Sequence, residues 1–474
     1  MIRWIALLFS VAWSASLGTV SPAVHEDSPG ITTADTLKTP AVLKNQSSAP
    51  RTVEVNLTAA PGRLALMPGK VTDAYAFNGS VPGPTLVVHE GDKVIVHYTN
   101  TLPETSGIHW HGLHVPANMD GSPLNPVPPG GKKDYVFTIE PGTAGTYWYH
   151  PHPDARTGYQ VAKGLYGAII VLAANDPLPA MPERLLILSD NRFHPDGSVD
   201  VAAPRTPAAI VDEENGREGN VMLVNGQVMP KIRIRSGETQ RWRIINAGAA
   251  RVYRLAFPGQ KLLQVGTDGG LFERPQEEKD LVLSNSERAE ILVRGTAAPG
   301  SSTVLQNLPY DRYTNQTRPD RWSQPQSLLT LAYTQEPRSK PLVIPTTVRV
   351  IPSLDTTMVT VRRSIVLSQG LINGRMMDMA RVDIKAKLGA TEIWTIENVV
   401  GMDHPFHLHG FRFQVLDRNG VPEHDRRWKD TINVAKHETV RFIVHFDANP
   451  GKWMFHCHIL DHEDHGMMGI LEIN

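Results

Sequence analysis

An internal repeat constrains the fold of this chain more than any other feature of its sequence. Three of its Asn-Gly pairs begin at residues 78, 225 and 373, which are 147 and 148 residues apart. Each pair is followed by a stretch with Val, Ile or Thr at alternate positions, then a turn glycine, a second such stretch and an asparagine. The glycines are Gly91, Gly237 and Gly389, and the asparagines are Asn100, Asn246 and Asn398. Asn-Gly favours tight hairpin turns and alternation with a period of two favours strands, so the repeat predicts an all-β chain.

Three similar β units predict three consecutive sandwich domains. The 38 glycines and 37 prolines are spread along the chain, which is typical of a turn-rich β protein. We predict a first domain over residues 51–175, a second over 176–338 and a third over 339–474.

The N-terminus predicts export from the cytoplasm. One arginine precedes an apolar run, Ile5–Trp13, which is too short to span a bilayer and is followed by small residues. We interpret residues 1–23 as a signal peptide and 24–50 as a flexible leader, and we expect a periplasmic or secreted protein with no membrane span. A single cysteine excludes an intramolecular disulfide.

Charge argues against a nucleic-acid partner. Lysine and arginine total 47 against 48 acidic residues, a net charge of −1, whereas nucleic-acid binders carry a basic excess or patch. We expect a monomer whose partners are small: a small-molecule or metal-ion reductant and dioxygen.

Histidine occurs in four short clusters, and each contains a His-X-His pair. The clusters are His109-Trp-His111, His150-Pro-His152, His404-Pro-Phe-His407-Leu-His409 and His456-Cys457-His458. Residues i and i+2 of a strand project from the same face, so each pair directs two imidazoles the same way. Two pairs fall in the first unit and two in the third, which predicts eight imidazoles at one shared metal site. Imidazole alone does not identify the metal, because it suits zinc, copper, iron and nickel.

A second site is predicted around Cys457. Its side chain must point opposite to those of the histidines beside it in the strand. His462 and Met467 follow five and ten residues later, close enough for a loop to bring both to the sulfur, and His404 can supply a second imidazole. Two histidines, one cysteine and a weak axial methionine form the blue-copper electron-transfer set.

Two other interpretations of this cysteine are weaker. Zinc prefers four closed N/S ligands or an open three-ligand site, which leaves the methionine and the other imidazoles unexplained. A nucleophilic Cys–His pair is also possible, but an acyl-transfer enzyme has no use for the remaining histidine pairs.

In these motifs the chain resembles three-domain multicopper oxidases of the laccase type, in the branch of bacterial laccases, copper-efflux oxidases and bilirubin oxidases. HWHG, YWYHPH, HPFHLHG and HCHILDHEDHGMM occur in family order, and the resemblance covers residues from about 50 to 474. It implies three cupredoxin-like Greek-key β-sandwich domains and four copper ions, of which one is type 1, one type 2 and two type 3.

The resemblance also implies which residues bind each ion. The type 1 ligands would be Cys457, His404, His462 and axial Met467, with Met468 as the alternative axial residue. The type 2 ligands would be His109 and His407. The type 3 ligands would be His111, His150 and His458 on one ion, and His152, His409 and His456 on the other. Asp120 and Glu463 match positions that we expect to relay protons, and Cys457 is expected to carry electrons.

The implied activity is a laccase-like oxidation of diphenols, aromatic amines or related donors, with dioxygen reduced to water. A cuprous or other metal-ion oxidase is the alternative. Such relatives carry a long Met-rich insertion and an Asp/Met pair before the third signature; here Met402 is present without the expected acid, and we interpret Met376, Met377 and Met379 as strand packing. A non-enzymatic scaffold or copper store would have lost ligands, and a copper nitrite reductase normally has two domains and lacks paired type 3 ligands.

Overall fold

The computed structural model describes residues 36–474 except 203–205, 208, 314–322 and 448. The predicted signal peptide and the first part of the predicted leader lie outside the described residues. The described strands form six sheets, arranged along the chain as three consecutive pairs. The all-β prediction is confirmed. Within these ranges, helices are too short or too polar to cross a membrane.

The first pair of sheets carries two of the histidine pairs. Its elements are β1 (Thr52–Leu64), β2 (Thr72–Phe77), β3 (Leu86–His89), β4 (Lys93–Asn100), β5 (His109–His111), β6 (Lys132–Thr138), β7 (Gly145–His150), α1 (Thr157–Ala162) and β8 (Gly167–Leu172). The strand orders are β2-β1-β4-β6 and β3-β8-β7-β5. Because β5 pairs with β7 in the register His109↔His150, the first two histidine pairs become neighbours.

The second pair of sheets has no histidine pair. Its elements are β9 (Glu183–Asn191), α2 (Ile210–Asn215), β10 (Val221–Val224), β11 (Lys231–Ile234), β12 (Thr239–Asn246), β13 (Tyr253–Ala256), β14 (Leu262–Thr267), β15 (Gly270–Glu278), β16 (Leu281–Leu283), β17 (Arg288–Arg294), β18 (Ser302–Asn307) and β19 (Gln326–Tyr333). The strand orders are β10-β9-β12-β17-β14-β15 and β11-β19-β18-β13-β16.

The third pair of sheets carries the remaining histidine pairs and the cysteine. Its elements are β20 (Val359–Ser368), β21 (Leu371–Ile372), β22 (Ile384–Ala386), β23 (Thr391–Asn398), β24 (His404–Leu408), β25 (Phe413–Arg418), β26 (Val421–Pro422), β27 (Thr431–Val434), β28 (Thr439–His445), β29 (Gly451–Cys457), α3 (Leu460–His465) and β30 (Met468–Ile473). The orders are β21-β20-β23-β28-β25-β26 and β22-β30-β29-β24-β27. Two short 3-10 helices, Ala117–Met119 and Thr356–Met358, complete the described elements.

The repeat seen in the sequence is a repeat of structure. Asn78, Asn225 and Asn373 have φ values of 50°, 51° and 52°, and each following glycine is also positive, which is the backbone of a tight hairpin turn. Each asparagine side chain accepts a backbone N–H from a neighbouring strand, at 2.7, 2.7 and 2.8 Å. The three units therefore contain the same hydrogen-bonded turn.

The described part of the predicted flexible leader is hydrogen-bonded to the rest of the chain. Leu37 donates its N–H to the carbonyl of Lys231 at 2.8 Å, and Leu43 donates to Thr85 at 2.9 Å. Residues 36–43 thus run along sheet edges of the second and first pairs. The reason is that β11 and β3 are edge strands whose free backbone groups accept a further strand.

Each pair of sheets encloses its own apolar core, which includes Trp110 in the first, Trp242 in the second and Trp394 in the third. Strands such as β4 alternate between buried and partly buried residues, as a strand with one face on the core does. In contrast, β5, β7 and β24 are buried at every position. β7 also packs against β12, β14, β15 and β17 of the second pair of sheets.

Candidate metal centres

The eight paired imidazoles of the first and third units lie together in one buried cluster. His407 pairs with His456 across β24 and β29, as His109 does with His150 in the first unit. The two units interleave their rings: His109 stacks on His409, and the ring centroids are 3.9 Å apart. His111 stacks on His407 at the same distance. The predicted shared site therefore exists as a geometric cluster.

In most of these rings one nitrogen is held by a protein acceptor and the other points into the cluster. Nδ1 of His109, His150 and His407 lies 3.0, 2.9 and 2.8 Å from the backbone carbonyls of Asp120, Pro151 and Asp430. The opposite nitrogen, Nε2, of each ring has no hydrogen-bond partner among the described residues. An acceptor on one nitrogen fixes the tautomer and leaves a lone pair on the other, as in metal-ligating histidines.

Three of these lone pairs converge on one point. Nε2 of His456 lies 2.9 Å from Nε2 of His409 and 3.4 Å from Nε2 of His152. Nδ1 of His456 and of His409 already face Cys457 O and Asp120 Oδ2, at 3.0 and 2.8 Å. Two acceptor nitrogens at this separation repel each other unless a cation lies between them. The donor set therefore fits a bound metal ion.

Burial keeps these imidazoles in the form that binds metal. Desolvation, reinforced by the neighbouring histidines, holds the pKa of His407 and His409 well below the usual value. Burial lowers the pKa of His456 to about 3. Placing several cationic rings in one buried cluster would be costly, so His407, His409 and His456 are neutral near pH 7.

The ligand atoms form compact sets within the cluster, each with its atoms within 4.8 Å of one another. These sets are His152–His409–His456, His109–His111–His150, His109–His407–His409 and His111–His407–Asp430. The first is identical to one predicted type 3 set. Among the other three sets, His109 belongs to two and His407 belongs to two. His458 lies beside these sets, with its ring centroid 5.0 Å from that of His111 and 5.5 Å from that of His150.

Cys457 faces a separate group, as its position in the strand predicted. Its Sγ lies 3.7 Å from Nδ1 of His462, and His404 completes a compact set with both. Neither ring nitrogen of His404 has a hydrogen-bond partner in the described parts of the chain. Burial raises the pKa of the Cys457 thiol to about 12, so a thiolate here needs a cation beside it.

A short helix, rather than the expected loop, brings His462 to the sulfur. α3 begins two residues after β29 and is capped at its C-terminus by Gly466, whose φ of 107° lets the chain turn back into β30. The turn places the Met467 carbonyl 3.1 Å from the backbone nitrogen of Cys457. Met467 is buried in the same apolar cluster as Cys457, whereas Met468 packs in a different cluster with Met454.

The two predicted relay carboxylates are fully buried beside the histidine cluster. Asp120 contacts His109 and His409, with oxygen-to-Nδ1 distances of 3.2 and 2.8 Å. The oxygens of Glu463 lie 3.3 Å from Nδ1 of His152 and 3.3 Å from Nδ1 of His456. Burial, with Asp464 nearby, raises the pKa of Glu463 well above its usual value.

Two contacts were not foreseen in the sequence. Asp430 lies against His111, at 3.2 Å from Nε2, although WKDTINV offers no local signal for this role. The carbonyl of Glu214, on α2 of the second unit, lies 3.3 Å from Nε2 of His462. Both contacts join residues far apart in the chain, so no local pattern could have indicated them.

The methionine cluster is not part of a strand, which corrects our interpretation. Met376, Met377 and Met379 lie in the loop between β21 and β22. The N–H of Met377 donates to the carbonyl of Gly466 at 2.8 Å, so the loop lies against the end of α3. Met376 and Met379 are 42% and 39% exposed.

Comparison with known proteins gives a consistent result along the chain. Residues 60–176, 180–336 and 346–474 each match a family model described as multicopper oxidase. A multicopper oxidase from Campylobacter jejuni, described as a metallo-oxidase, is 34% identical with a TM-score of 0.84, over 93% of this chain and 96% of that chain. A laccase from Pediococcus acidilactici Pa5930 is 32% identical with a TM-score of 0.82, over 93% of each chain.

One relative has a different kind of name. The cell division protein FtsP of Escherichia coli K12 is 30% identical over 462 residues, which cover 92% of each chain.

The similarity to the solved structures of multicopper oxidases confirms the predicted cupredoxin-like fold class.

Proposed function

The chain belongs to the multicopper oxidase family, and from this premise we propose that it is a laccase-type enzyme. It would couple one-electron oxidation of phenols, aromatic amines or similar donors to the four-electron reduction of dioxygen to two waters. The observation that carries the proposal is the presence of two buried ligand groups, one with the single cysteine and one with eight imidazoles. They are joined through residues 456–458 of the backbone.

The proposed ligand sets are those implied by the resemblance. The type 1 site would use His404, Cys457, His462 and Met467; the type 2 site His109 and His407; and the type 3 pair His111, His150 and His458 together with His152, His409 and His456. When bound, copper supplies one-electron transfer from the donor and four-electron delivery to dioxygen.

Cys457 connects the two groups by the shortest covalent route that the chain offers. Its side chain belongs to one group, and its two sequence neighbours, His456 and His458, belong to the other. Burial of all three residues excludes water from this segment. The segment therefore provides an electron path without a detour through solvent.

Reduction of dioxygen to two waters consumes four protons, and Asp120 and Glu463 are proposed to deliver them. Each carboxyl group contacts ring nitrogens of two cluster histidines, and both are 1% exposed or less. A carboxyl group held within hydrogen-bond reach of a reacting site is the usual arrangement for general acid–base catalysis.

A spectrum of copper-loaded protein tests the proposal most directly. We expect four copper equivalents, intense blue thiolate-to-copper absorption, and a near-ultraviolet shoulder from a bridged copper pair. Oxygen uptake with a substituted phenol should accompany both signals. The proposal would be contradicted if the protein, saturated with copper, bound far fewer than four equivalents. It would also be contradicted if the copper-loaded protein consumed no oxygen with any easily oxidised donor.

A second candidate function, oxidation of cuprous ion, is favoured by the exposed methionines of the loop between β21 and β22, which lies against the end of α3. Thioether sulfur suits Cu(I), and Met376 lies within ordinary contact distance of the position that a Cβ on Gly466 would take. Turnover with a phenol and with cuprous ion separates the two functions. A Met376→Leu variant should lower only cuprous turnover if this loop receives the ion, with Met358→Leu, an exposed methionine on a 3-10 helix, as the control.

A non-enzymatic role, which the relation to FtsP raises, is less well supported. Every ligand position implied by the resemblance is occupied by a suitable residue in this chain. We also propose that the protein works outside the cytoplasm, on the basis of the apolar run Ile5–Trp13, and that it is a monomer. Cell fractionation and sedimentation would test these two points.

A further inference from the structure

Arg288, on β17 of the second unit, reaches the histidine cluster although its unit contributes no predicted ligand. The side chain is fully buried. Its Nε donates to the carbonyl of Thr146 in the first unit at 3.2 Å. Its two terminal nitrogens form a bidentate pair with the carboxylate of Asp430 in the third unit, one of them at 2.7 Å. One guanidinium therefore contacts all three units.

Asp430 in turn contacts two rings of the cluster. Its Oδ1, the oxygen that Arg288 holds at 2.7 Å, lies 3.2 Å from Nε2 of His111. Its backbone carbonyl accepts a hydrogen bond from Nδ1 of His407 at 2.8 Å. Since Nε2 of His111 faces this carboxylate, its Nδ1 is the nitrogen left to bind metal, and Nδ1 has no hydrogen-bond partner among the described residues.

The local backbone is adapted to this ion pair. Gly112 follows His111 and has a φ of 85°. A Cβ at this position would lie 2.5 Å from Oδ2 of Asp430 and 2.6 Å from a terminal nitrogen of Arg288. Both distances are too short for any side chain, so the glycine of the HWHG motif leaves the space that the ion pair fills.

The other charged side chains around Arg288 also form a buried network. The backbone N–H of Arg288 donates to Asp268 at 2.8 Å. The other carboxylate oxygen of Asp268 lies 2.8 Å from Nζ of Lys429, which also binds Glu287 at 2.7 Å. The backbone of Arg288 is thus held in place by its own unit, independently of Asp430. A positioning residue requires such an anchor.

We propose that Arg288 is a positioning residue for the copper cluster: by clamping Asp430 it sets the orientation and tautomer of His111 and supports the ring of His407. The inference rests on the proposed function, because it assigns these rings to copper. It explains why the second unit, without ligands, contacts the site. Outer contacts of this kind typically change metal affinity or activity by about 10–100-fold when removed.

An ordinary interface ion pair is the competing explanation, and the chain offers a matched control for it. Arg243 is also a buried arginine of the second unit. It pairs with buried Glu290 at 2.7 Å and reaches Thr146 of the first unit at 3.2 Å. Among the described residues, its side chain hydrogen-bonds to Glu183, Thr146 and Glu290 and to no cluster histidine. A general loss of interface stability should therefore affect both arginines, whereas a positioning role should affect only Arg288.

The experiment compares Arg288→Lys with Arg243→Lys in the copper-loaded, full-length protein. Lysine keeps the charge but cannot make the bidentate contact. For Arg288→Lys we expect copper in the cluster to be lost about 10–100-fold more readily to a competing chelator. The type 2 electron paramagnetic resonance signal and the near-ultraviolet shoulder should change, while the blue absorption of the Cys457 site stays. Arg243→Lys should lower the unfolding temperature and leave these cluster signals unchanged.

Two results would overturn the inference: cluster signals that are unchanged in Arg288→Lys, or cluster signals that change equally in both variants. If Arg288→Lys does not fold, Asp430→Asn, which keeps the side-chain size, should alter the same signals, and an unaltered cluster would again contradict the role. The wild type separates this inference from the function. Absence of the cluster signals there contradicts the proposed function, whereas a normal wild type with normal variants contradicts only the role of Arg288.

Discussion

The carboxylate of Asp120, in the first unit, accepts a hydrogen bond from Nδ1 of His409, in the third unit, at 2.8 Å. Its other oxygen lies 3.2 Å from Nδ1 of His109, whose ring stacks on that of His409. The buried side chain of Asp120 thus orients one ring from the first unit and one from the third. The cluster cannot form from either of these two units alone.

Replacement of Asp120 tests its proposed role in proton delivery. We expect Asp120→Asn to keep its copper and lose turnover by about 100-fold or more, because general acid–base groups contribute on this scale. The measurement is oxygen uptake at matched copper content. Asp92→Asn is a suitable control, since Asp92 is a buried acid of the same unit that pairs with Arg51 at 2.8 Å. Unchanged turnover in fully metallated Asp120→Asn would exclude the role.

The sulfur of Cys457 is expected to be indispensable for colour and electron transfer. Cys457→Ser should lose the blue absorption and oxidase turnover, because a serine hydroxyl cannot supply the thiolate ligand. The histidine cluster should still bind copper, since its ligand nitrogens belong to other residues. Absorption spectra and copper analysis of the variant provide the test; a variant that still turns over would refute the proposed electron path.

Two adjacent methionines provide an internal comparison for the axial position. Met467→Leu should shift the potential of the blue site, because the axial ligand tunes it. Met468→Leu should keep that potential and affect only packing, since Met468 lies in the cluster with Met454 and Ile470. Redox titration of the blue band distinguishes them. A shift confined to Met468→Leu would reverse the assignment.

Glu290 should make stability depend on acid pH. Burial alone would raise its pKa, but Arg241 and Arg243 outweigh burial and lower it from 4.5 to about 2. A lowered pKa gives a contribution that is present above about pH 4.5 and is lost as the pH falls towards 2. From this shift the contribution is on the order of 3 kcal/mol.

Chemical denaturation of copper-free protein tests this dependence without interference from acid loss of copper. Glu290→Gln should lower the free energy of unfolding most at pH 7, and the difference from wild type should shrink as the pH falls below 4.5. Glu277→Gln is the control, because Glu277 pairs with Lys261 on the open surface, where such pairs contribute little. A pH-independent difference for Glu290→Gln would contradict the shifted pKa.

Local periodicity made much of this protein predictable. The Asn-Gly turns and alternating strands follow from short-range backbone preferences, so the repeat indicated three all-β units before any contact was known. The same geometry placed the side chains of His456 and His458 on one face and that of Cys457 on the other. The predicted ligand roles themselves stay predictions until copper is measured.

Other features depend on contacts between distant segments. The sequence alone indicated that histidines from the two outer units meet, but the interleaving of His111 and His407, and the helix that carries His462, came only from the folded chain. The leader that we expect to be flexible forms isolated bridges at Thr36 and Val42, with Lys231 and Thr85, which are far away in the sequence. Arg288 and Asp430 are 142 residues apart. No local pattern links them, because a buried ion pair forms only where packing of all three units removes both charges from water.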